Sequence, residues 1–425
     1  VQTRQRSCLK SVNRLQGRTI GMGTESAPRT GPLANIRVIE MGTMIAGPFC
    51  GQLLADHGAE VIKLEQPGVG DPMREWGKEK PHGKALFWPV LGRNKLSATL
   101  NAREADGQAL IKKLVESADI LLENFRPGTM ERWGLSYEDL SEINPKLIMI
   151  RVSGFGQTGP YAKRAGYGAI GEAMGGLRYT TGDPSLPPSR AGISIGDSLA
   201  ATHACLGAMM ALHQVHLTGK GQVVDASIFE SVLNMMENVV TDYDAGGYIR
   251  ERTGSFLPKI APSNIYPTKD DIWLVIGANQ DSVWARMAEA MGRPELATDE
   301  RYATHGARGI NQIELDELIS DWTKDFPVAE LEELLHAHGI PNGKINRAPE
   351  MLEDPQFKAR EAIIRVDHPE FGNIAMQNVA PKLSETQGTV RHPGPGLGEH
   401  NDYVWGELAG NSADDLAVLR DRGII

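Results

Sequence analysis

The sequence has few cysteines, no excess of basic residues and no long apolar run, and each absence excludes a class of protein. Its three cysteines, Cys8, Cys50 and Cys205, are too few and too scattered for a disulfide framework or a zinc site. The formal net charge of -10 argues against nucleic acid or an anionic membrane as a partner. No run reaches the roughly 18 to 20 apolar residues that cross a bilayer. We therefore expect a cytoplasmic protein that needs no metal, nucleic acid or membrane.

Acidic residues are missing from the first part of the chain. Residues 1–21 contain only basic charged side chains, and the first carboxylate is Glu25. The basic positions are Arg4, Arg6, Lys10, Arg14 and Arg18. We favour an extension ahead of a natural start at Met22; the alternative is a mitochondrial transit segment, which would place the protein in the matrix. In either case residues 1–30 are predicted to be a disordered extension outside the fold.

The rest of the chain alternates between short apolar runs and amphipathic stretches. Strands are predicted over 36–40, 59–65, 95–100, 120–123, 147–152 and 222–226. Helices are predicted from the turn at 42–47 through 54, and over 105–117, 137–143 and 199–216. Such alternation indicates a doubly wound, mostly parallel sheet. The turn over 42–47 offers amides to an anion but lacks the G-x-G-x-x-G spacing, so we do not predict a dinucleotide site.

A chain of 425 residues with 41% hydrophobic content is long enough for two domains. From about residue 248 prolines punctuate a loop-rich passage, which precedes a strand over 272–276 and helices over 282–291, 312–323 and 328–338. We predict an α/β fold with a large Rossmann-like domain over 31–247 and 346–425, and a smaller α+β domain over 248–345.

The rest of the chain is organised around the stretch over 174–199. A loop stiffened by prolines runs over 183–188 and leads to Gly196-Asp197-Ser198, which precedes an apolar helix. Asp197 is suited either to cap that helix or to act as a nucleophile, and the residues alone leave both roles open. Of the other local carboxylates, Asp183 is interpreted as a turn residue and Glu172 as a polar helix position.

Several sequence blocks resemble those of the family III CoA-transferases, in order from Leu33 to near the C-terminus. The blocks are Ala46-Gly47-Pro48, 58–65, 68–71, Asn94-Lys95, 124–128, Asn144-Pro145, Gly154-Phe155-Gly156, Gly196-Asp197-Ser198, 218–222 and 397–400. The resemblance implies two subunits threaded through one another as interlocked rings, with coenzyme A held between the large and small domains. It also implies a small carboxylic acid as the second substrate.

The resemblance further implies a set of CoA contacts. They are Ile45, Ala46, Gln66, Leu100, Asn101, Ala102, Arg103, Asn124, Phe125, Arg126, Arg132, Ala165, Gly166, Tyr167 and Gly168. The chemistry of the residues agrees with this set, because Arg103, Arg126 and Arg132 follow predicted strand ends and are suited to the phosphates of CoA.

In the family, an aspartate attacks the acyl-CoA thioester, and the resemblance assigns this role to Asp197. A carboxylate is required because each intermediate must stay as activated as a thioester. A racemase branch of the family carries histidine where Tyr167 stands, and a tyrosine with a pKa near 10 is poorly suited to proton transfer at an α-carbon. Racemisation is therefore the second alternative, and CoA binding without transfer the third.

Two further features concern the substrates. Some relatives have a glycine-rich lid in the small domain, whereas the corresponding passage, 253–262, contains only Gly254. Arg178 and Arg190 flank the central loop and are candidate anchors for a second carboxylate, which favours a dicarboxylic acid.

Overall fold

The computed structural model describes residues 29–425, so the predicted extension and Cys8 lie largely or wholly outside the described residues. Strands β1 to β6 are Arg37–Glu40, Glu60–Glu65, Lys95–Thr99, Ile120–Glu123, Ile148–Ser153 and Val223–Ser227. Strands β7 to β11 are Ser263–Pro267, Trp273–Gly277, Asn342–Lys344, Ile363–His368 and Gly372–Gln377.

Helices occur between most of these strands. Helices α1 to α9 are Ala46–Asp56, Phe87–Leu91, Ala105–Val115, Thr129–Arg132, Tyr137–Ile143, Gly168–Met174, Leu177–Thr180, Ile195–Thr218 and Ile228–Leu233. Helices α10 to α17 are Val239–Gly246, Asp281–Ala290, His305–Ile310, Gln312–Thr323, Val328–Ala337, Ala348–Glu353, Pro355–Ala359 and Ala413–Asp421. Short 3₁₀ helices span Pro72–Arg74, Pro81–Gly83 and Pro294–Ala297, and a π-helix spans Asp402–Leu408.

The six strands β1 to β6 form one parallel sheet in the order β3-β2-β1-β4-β5-β6. Neighbouring side chains of a strand enter different cores: Val38 lies in the core under α1 and α8, and Ile39 in the core under α3 and α5. Because both faces are covered, the central strands β4 and β5 are buried along their whole length. The predicted doubly wound α/β fold is confirmed, and its strand order is that of Rossmann-like sheets.

A second, antiparallel sheet has the order β7-β8-β9 and carries its own core against α11, α13 and α14. This is the smaller α+β unit expected from the sequence, although β7 lies in the passage interpreted as loop. The boundaries at 248 and 346 stay a prediction. Strands β10 and β11 form a hairpin that pairs with neither sheet within residues 29–425.

Residues near the C-terminus of the chain return to the large sheet and pack along β3. The amide of His400 donates to the Ser97 carbonyl at 2.9 Å, and Asn401 Oδ1 accepts from the Thr99 amide at 2.8 Å. The indole of Trp405 is fully buried and donates to the Thr99 carbonyl at 3.1 Å. These contacts cover the open edge of β3.

Helix α8 begins at Ile195, four residues earlier than predicted, and runs to Thr218. By length and composition it is apolar enough to cross a membrane, so the expectation that no such run exists was wrong for this segment. Its buried alanines, which include Ala200, Ala204 and Ala208, pack on the parallel sheet and α1 as those of a core helix do.

Candidate active site

The carboxyl ends of the parallel strands share one edge of the sheet, and a cleft of about 540 Å³ opens there. It lies beside the switch in strand order between β1 and β4, where ligands bind in open parallel sheets. Its lining residues are Met41, Thr43, Lys63, Leu64, Glu65, Gln66, Val69, Gly70, Asp71, Leu100, Ala102, Arg103, Phe125 and Trp133. Within one chain, no residue of the described range 248–345 lines this cleft, whereas a site between the two domains was expected.

Some of the predicted CoA contacts line the cleft directly. They are Gln66, Leu100, Ala102, Arg103 and Phe125. Trp133 also lines the cleft and was not predicted from the sequence, although its position next to Arg132 could have indicated it. Its ring meets that of Phe125 edge-on, with centroids 5.2 Å apart. The two rings meet at a steep angle and add apolar surface to the cleft, which is suited to an adenine ring or a pantetheine chain.

The predicted phosphate-binding arginines lie around the same edge. Arg103 and Arg126 are exposed at the ends of β3 and β4, and Arg132 is exposed in α4, where it donates to Thr129 Oγ1 at 2.9 Å. None of the three forms an ion pair with a residue of the described part of the chain. Their charges are therefore available to an anionic ligand.

Other predicted contacts are committed to the protein itself. Ile45 and Ala46 are buried in the cores beside α1, so their side chains face away from solvent. Asn124 Oδ1 accepts from the Thr43 amide at 2.7 Å, and its Nδ2 donates to the Thr43 carbonyl at 2.8 Å. The amide of Asn101 donates to the Ile424 carbonyl at 2.8 Å. Side chains of these residues shape the turns around the cleft.

The turn over 42–47 was expected to offer free amides, and two of these are already occupied. Asn124 accepts from the Thr43 amide, and Asp71 Oδ1 accepts from the Met44 amide at 3.3 Å. The amides of Ile45 and Ala46 are the next donors at the start of α1. The local pattern could not reveal this, because both acceptors come from distant parts of the chain.

A buried network of charges lies beneath that turn. The fully buried Lys63 ammonium is 3.2 Å from Glu40 Oε1 and 2.8 Å from Asp71 Oδ2, and it donates to the Gly42 carbonyl. The fully buried Lys95 ammonium is 2.8 Å from Glu40 Oε2 and donates to the Pro48 carbonyl at 2.6 Å. Two cations and two anions thus balance while holding both ends of the turn.

Asp197 lies in the first turn of α8 and does not cap it. The N-cap residue is Ser194, and neither side chain makes a capping hydrogen bond. The carboxylate lies directly against Gly168, where an added Cβ would overlap its oxygen. Burial raises the pKa of Asp197 to about 6, aided by the Glu172 charge and opposed by Arg190. The carboxylate is thus ionised mainly above pH 6, less readily than a helix N-terminus alone would predict.

Glu172 is more than the polar helix position that we expected, because it is buried in α6 beside Asp197. Its Oε2 accepts from Arg178 Nε at 2.8 Å, and its Oε1 accepts from the Gly196 amide at 3.3 Å. A Cβ at Gly196 would lie 2.8 Å from the Gly168 carbonyl oxygen, so the two helices meet through glycine. Glu172 therefore links α6 to the residue that precedes Asp197.

The predicted contacts over 165–168 are brought to Asp197 rather than to the cleft. Gly166 packs against Gly154 and so closes the base of the loop that follows β5. Gly168 lies against the Asp197 carboxylate. Tyr167, the residue before Gly168, is 72% exposed. Helix α8 belongs to the connection from β5 to the parallel strand β6, so it runs back along the sheet. Its first turn therefore lies at the edge where the strands end, which is also the edge of the cleft.

The central loop forms as the sequence indicated. Asp183 Oδ1 accepts from the Ser185 amide at 2.8 Å, which confirms the turn role. The Ser189 amide closes the loop by donating to the Thr181 carbonyl at 2.9 Å. The passage over 253–262, which corresponds to the glycine-rich lid of some relatives, contacts this loop: the Gly254 amide donates to the Gly182 carbonyl at 3.0 Å. The segment 192–196 also reads G-x-S-x-G, but Ser194 follows a loop and not a strand, so the nucleophile elbow of hydrolases is excluded.

Residues 29–425 contain no group of three histidine, cysteine, aspartate or glutamate side chains placed to hold a metal ion. The arrangement combines an edge with three exposed arginines, a cleft with two aromatic rings in or beside its wall, and the Asp197 carboxylate, whose pKa is raised by burial. Such a site is suited to covalent catalysis by the carboxylate on a phosphorylated ligand.

Comparison with known proteins supports the same chemistry. The sequence model of CoA-transferase family III matches residues 33–401. The chain is 57% identical over 404 residues to succinyl-CoA–D-citramalate CoA-transferase of Chloroflexus aurantiacus, covering 95% of this chain and 100% of that one. It is 40% identical over 397 residues to the beta subunit of succinyl-CoA–L-malate CoA-transferase from the same organism, covering 93% and 98%. Among solved structures, a CAIB/BAIF family protein from Brucella suis superimposes with a TM-score of 0.79 at 34% identity, covering 89% of this chain and 100% of that one.

Proposed function

The chain belongs to CoA-transferase family III and is a CoA-transferase, and from this premise we propose that it moves CoA from succinyl-CoA to a short dicarboxylic acid by way of Asp197. The observation that carries the proposal is the position of the Asp197 carboxylate against Gly168, partly buried and without a hydrogen-bond donor of its own among the described residues. Relatives named for transfer from succinyl-CoA to citramalate or malate support the choice of substrates.

The reaction needs no external acid or base. A carboxylate oxygen of Asp197 attacks the thioester carbonyl, the carbon–sulfur bond breaks, and a mixed anhydride and the CoA thiolate result. The thiolate then attacks the aspartyl carbonyl, which releases the donor acid and leaves an aspartyl-CoA thioester. The acceptor carboxylate repeats the two steps in reverse order, which returns Asp197 to its ionised form.

Two features of the site suit these steps. The carboxylate has a raised pKa, so it is a better nucleophile than an ordinary aspartate while still being mostly ionised at neutral pH. Gly168 and Gly196 have no side chains, so α6 and α8 pack closely and the carboxylate is held against the backbone of α6.

The test of the nucleophile is Asp197→Asn, which keeps the side-chain shape but cannot form an anhydride. We expect the transfer rate to fall by about 10³-fold or more, while CoA binding persists. Asp183→Asn is the matched control, because Asp183 lies in the loop that precedes α8 and accepts a turn hydrogen bond there. Mass spectrometry of wild-type protein quenched with succinyl-CoA should find the adduct on the peptide that contains Asp197. An adduct elsewhere, or an active Asp197→Asn variant, would refute this role.

We also propose that CoA binds along the cleft with its phosphates on Arg103, Arg126 and Arg132. Replacing Arg132 by Ala should then weaken CoA binding about 10-fold, because a charge-assisted contact is lost, and hardly change the binding of pantetheine, which lacks the phosphates. Calorimetry with both ligands measures the difference. Equal losses for both would instead indicate a packing role for Arg132.

A further inference from the structure

Two acids and two arginines surround the proposed reaction centre, and they are not equivalent. Arg178 is half-buried and committed to Glu172, with Nε donating to Oε2 at 2.8 Å. Arg190 is exposed and forms no hydrogen bond or ion pair with any residue of the described chain. Arg190 lies in the loop five residues before α8 begins at Ile195, with Asp197 in the first turn of that helix, and its charge opposes the rise in the pKa of the Asp197 carboxyl. One guanidinium beside the nucleophile is therefore unpaired.

The backbone that carries Arg190 is held in position. The Ser189 amide donates to the Thr181 carbonyl at 2.9 Å, immediately before Arg190, and Thr181 Oγ1 donates to the Leu177 carbonyl at 2.7 Å. On the other side of the loop, Ser189 packs so closely on Gly182 that an added Cβ there would lie 2.6 Å from its hydroxyl. Arg190 thus stands next to the hydrogen bond that closes the base of the loop.

We propose that Arg190 binds the remote carboxylate of the dicarboxylic acyl group while the other end of that group reacts at Asp197. The inference rests on the proposed function above and assigns the residue that selects dicarboxylic over monocarboxylic substrates. When an anionic acyl group enters, Asp197 and Glu172 already contribute two negative charges, and Arg178 balances only one. A planar guanidinium with no other partner supplies both the missing charge and the paired donors that a carboxylate accepts.

The experiment compares succinyl-CoA with butyryl-CoA, which has a methyl group in place of the remote carboxylate. Arg190→Gln should lower kcat/KM for succinyl-CoA about 10- to 100-fold and leave that for butyryl-CoA within about twofold, since only one substrate loses a charge-assisted contact. Arg190→Lys should recover part of the loss. Arg293→Gln, which removes an exposed arginine paired with its own neighbour Glu295 in the small domain, is the matched control.

Competition provides the second measurement and does not require that butyryl-CoA be turned over. Succinate should inhibit the wild type more strongly than butyrate, and Arg190→Gln should remove most of that preference. An equal loss for both acyl-CoA substrates would show that Arg190 contacts CoA, and unchanged kinetics would show that it contacts neither; each result overturns the proposal. If the wild type itself transfers no CoA to any dicarboxylic acid, the proposed function fails instead.

Discussion

At the scale of single residues, the candidate site centres on the Asp197 carboxylate, whose ionised form is disfavoured by its surroundings. Desolvation and the nearby Glu172 charge raise the pKa of Asp197, and Arg190 compensates only in part. Because the folded state binds a proton at Asp197 more tightly than the unfolded chain, the ionised carboxylate costs stability. The cost is absent below pH 4, grows as the pH rises to about 6, and is complete above that. The ionised form of the proposed nucleophile therefore exists at the expense of folding stability.

Asp197→Asn should consequently stabilise the protein while abolishing transfer. At pH 8 we expect the free energy of unfolding to rise by about 1–3 kcal/mol, because a shift of one pKa unit corresponds to about 1.4 kcal/mol and the group is partly solvated. The gain should shrink towards zero as the pH falls to 4. Urea unfolding at several pH values measures it. Asp183→Asn should show no such gain, since the exposed Asp183 carboxylate is stabilised by hydrogen bonds from Ser185. A gain for Asp197→Asn that does not depend on pH would contradict the raised pKa of Asp197.

At the scale of elements, the turn between β1 and α1 depends on side chains from elsewhere. Lys63 of β2 and Lys95 of β3 hold its carbonyls, and Asp71 and Asn124 hold its amides. Met44 in this turn has a φ of 67°, a left-handed conformation that such contacts keep in place. The cleft is therefore shaped by a charge network as much as by apolar packing.

Lys63→Met tests this network. It leaves Glu40 and Asp71 buried with one cation fewer, so the free energy of unfolding should fall by about 3–5 kcal/mol. Lys80→Met is the matched control, because Lys80 pairs with Glu75 at the surface and should change stability by less than about 1 kcal/mol. Chemical denaturation of the three proteins gives both values. A loss for Lys63→Met no larger than that of the control would mean that the network does not stabilise the turn.

At the scale of the whole molecule, one chain leaves apolar surface uncovered. Leu206, Met210 and Leu217 of α8 are more than half exposed, as are Val240 and Tyr243 of α10. Isolated exposed apolar residues are common, but a set of them on the helix that carries Asp197 indicates a covering partner. We propose that this partner is a second copy of the chain, in the interlocked dimer that the sequence resemblance implied.

Light scattering should then give a mass of twice 46.2 kDa. Interlocked chains separate only by unfolding, so the dimer should persist on dilution to nanomolar concentration, unlike one formed by surface contact alone. Replacing exposed Met210 by Lys should lower thermal stability or yield, because a charge would be buried in the interface. Detection of a folded, active monomer would contradict the interlocked dimer.

The sequence by itself determined the local elements and the family to which the chain belongs. Helices α5 and α13 occur over the predicted residues, and most predicted strands of the parallel sheet agree to within one or two positions. Apolar periodicity and the punctuation by glycine and proline are local properties, which is why they could be read directly. The resemblance of Gly196-Asp197-Ser198 to a family motif singled out Asp197, and its role as the nucleophile stays a prediction.

Only the tertiary structure decided which groups are free to act. Arg178 and Arg190 are equivalent in sequence, and the burial of Glu172 engages one and leaves the other unpaired. Asn124 is bound to Thr43, and the hairpin of β10 and β11, whose strands lack clear alternation, was missed. Burial and Coulomb interactions depend on residues far apart in the chain, so hydrogen-bond partners and the pKa of Asp197 exist only once the strands have assembled.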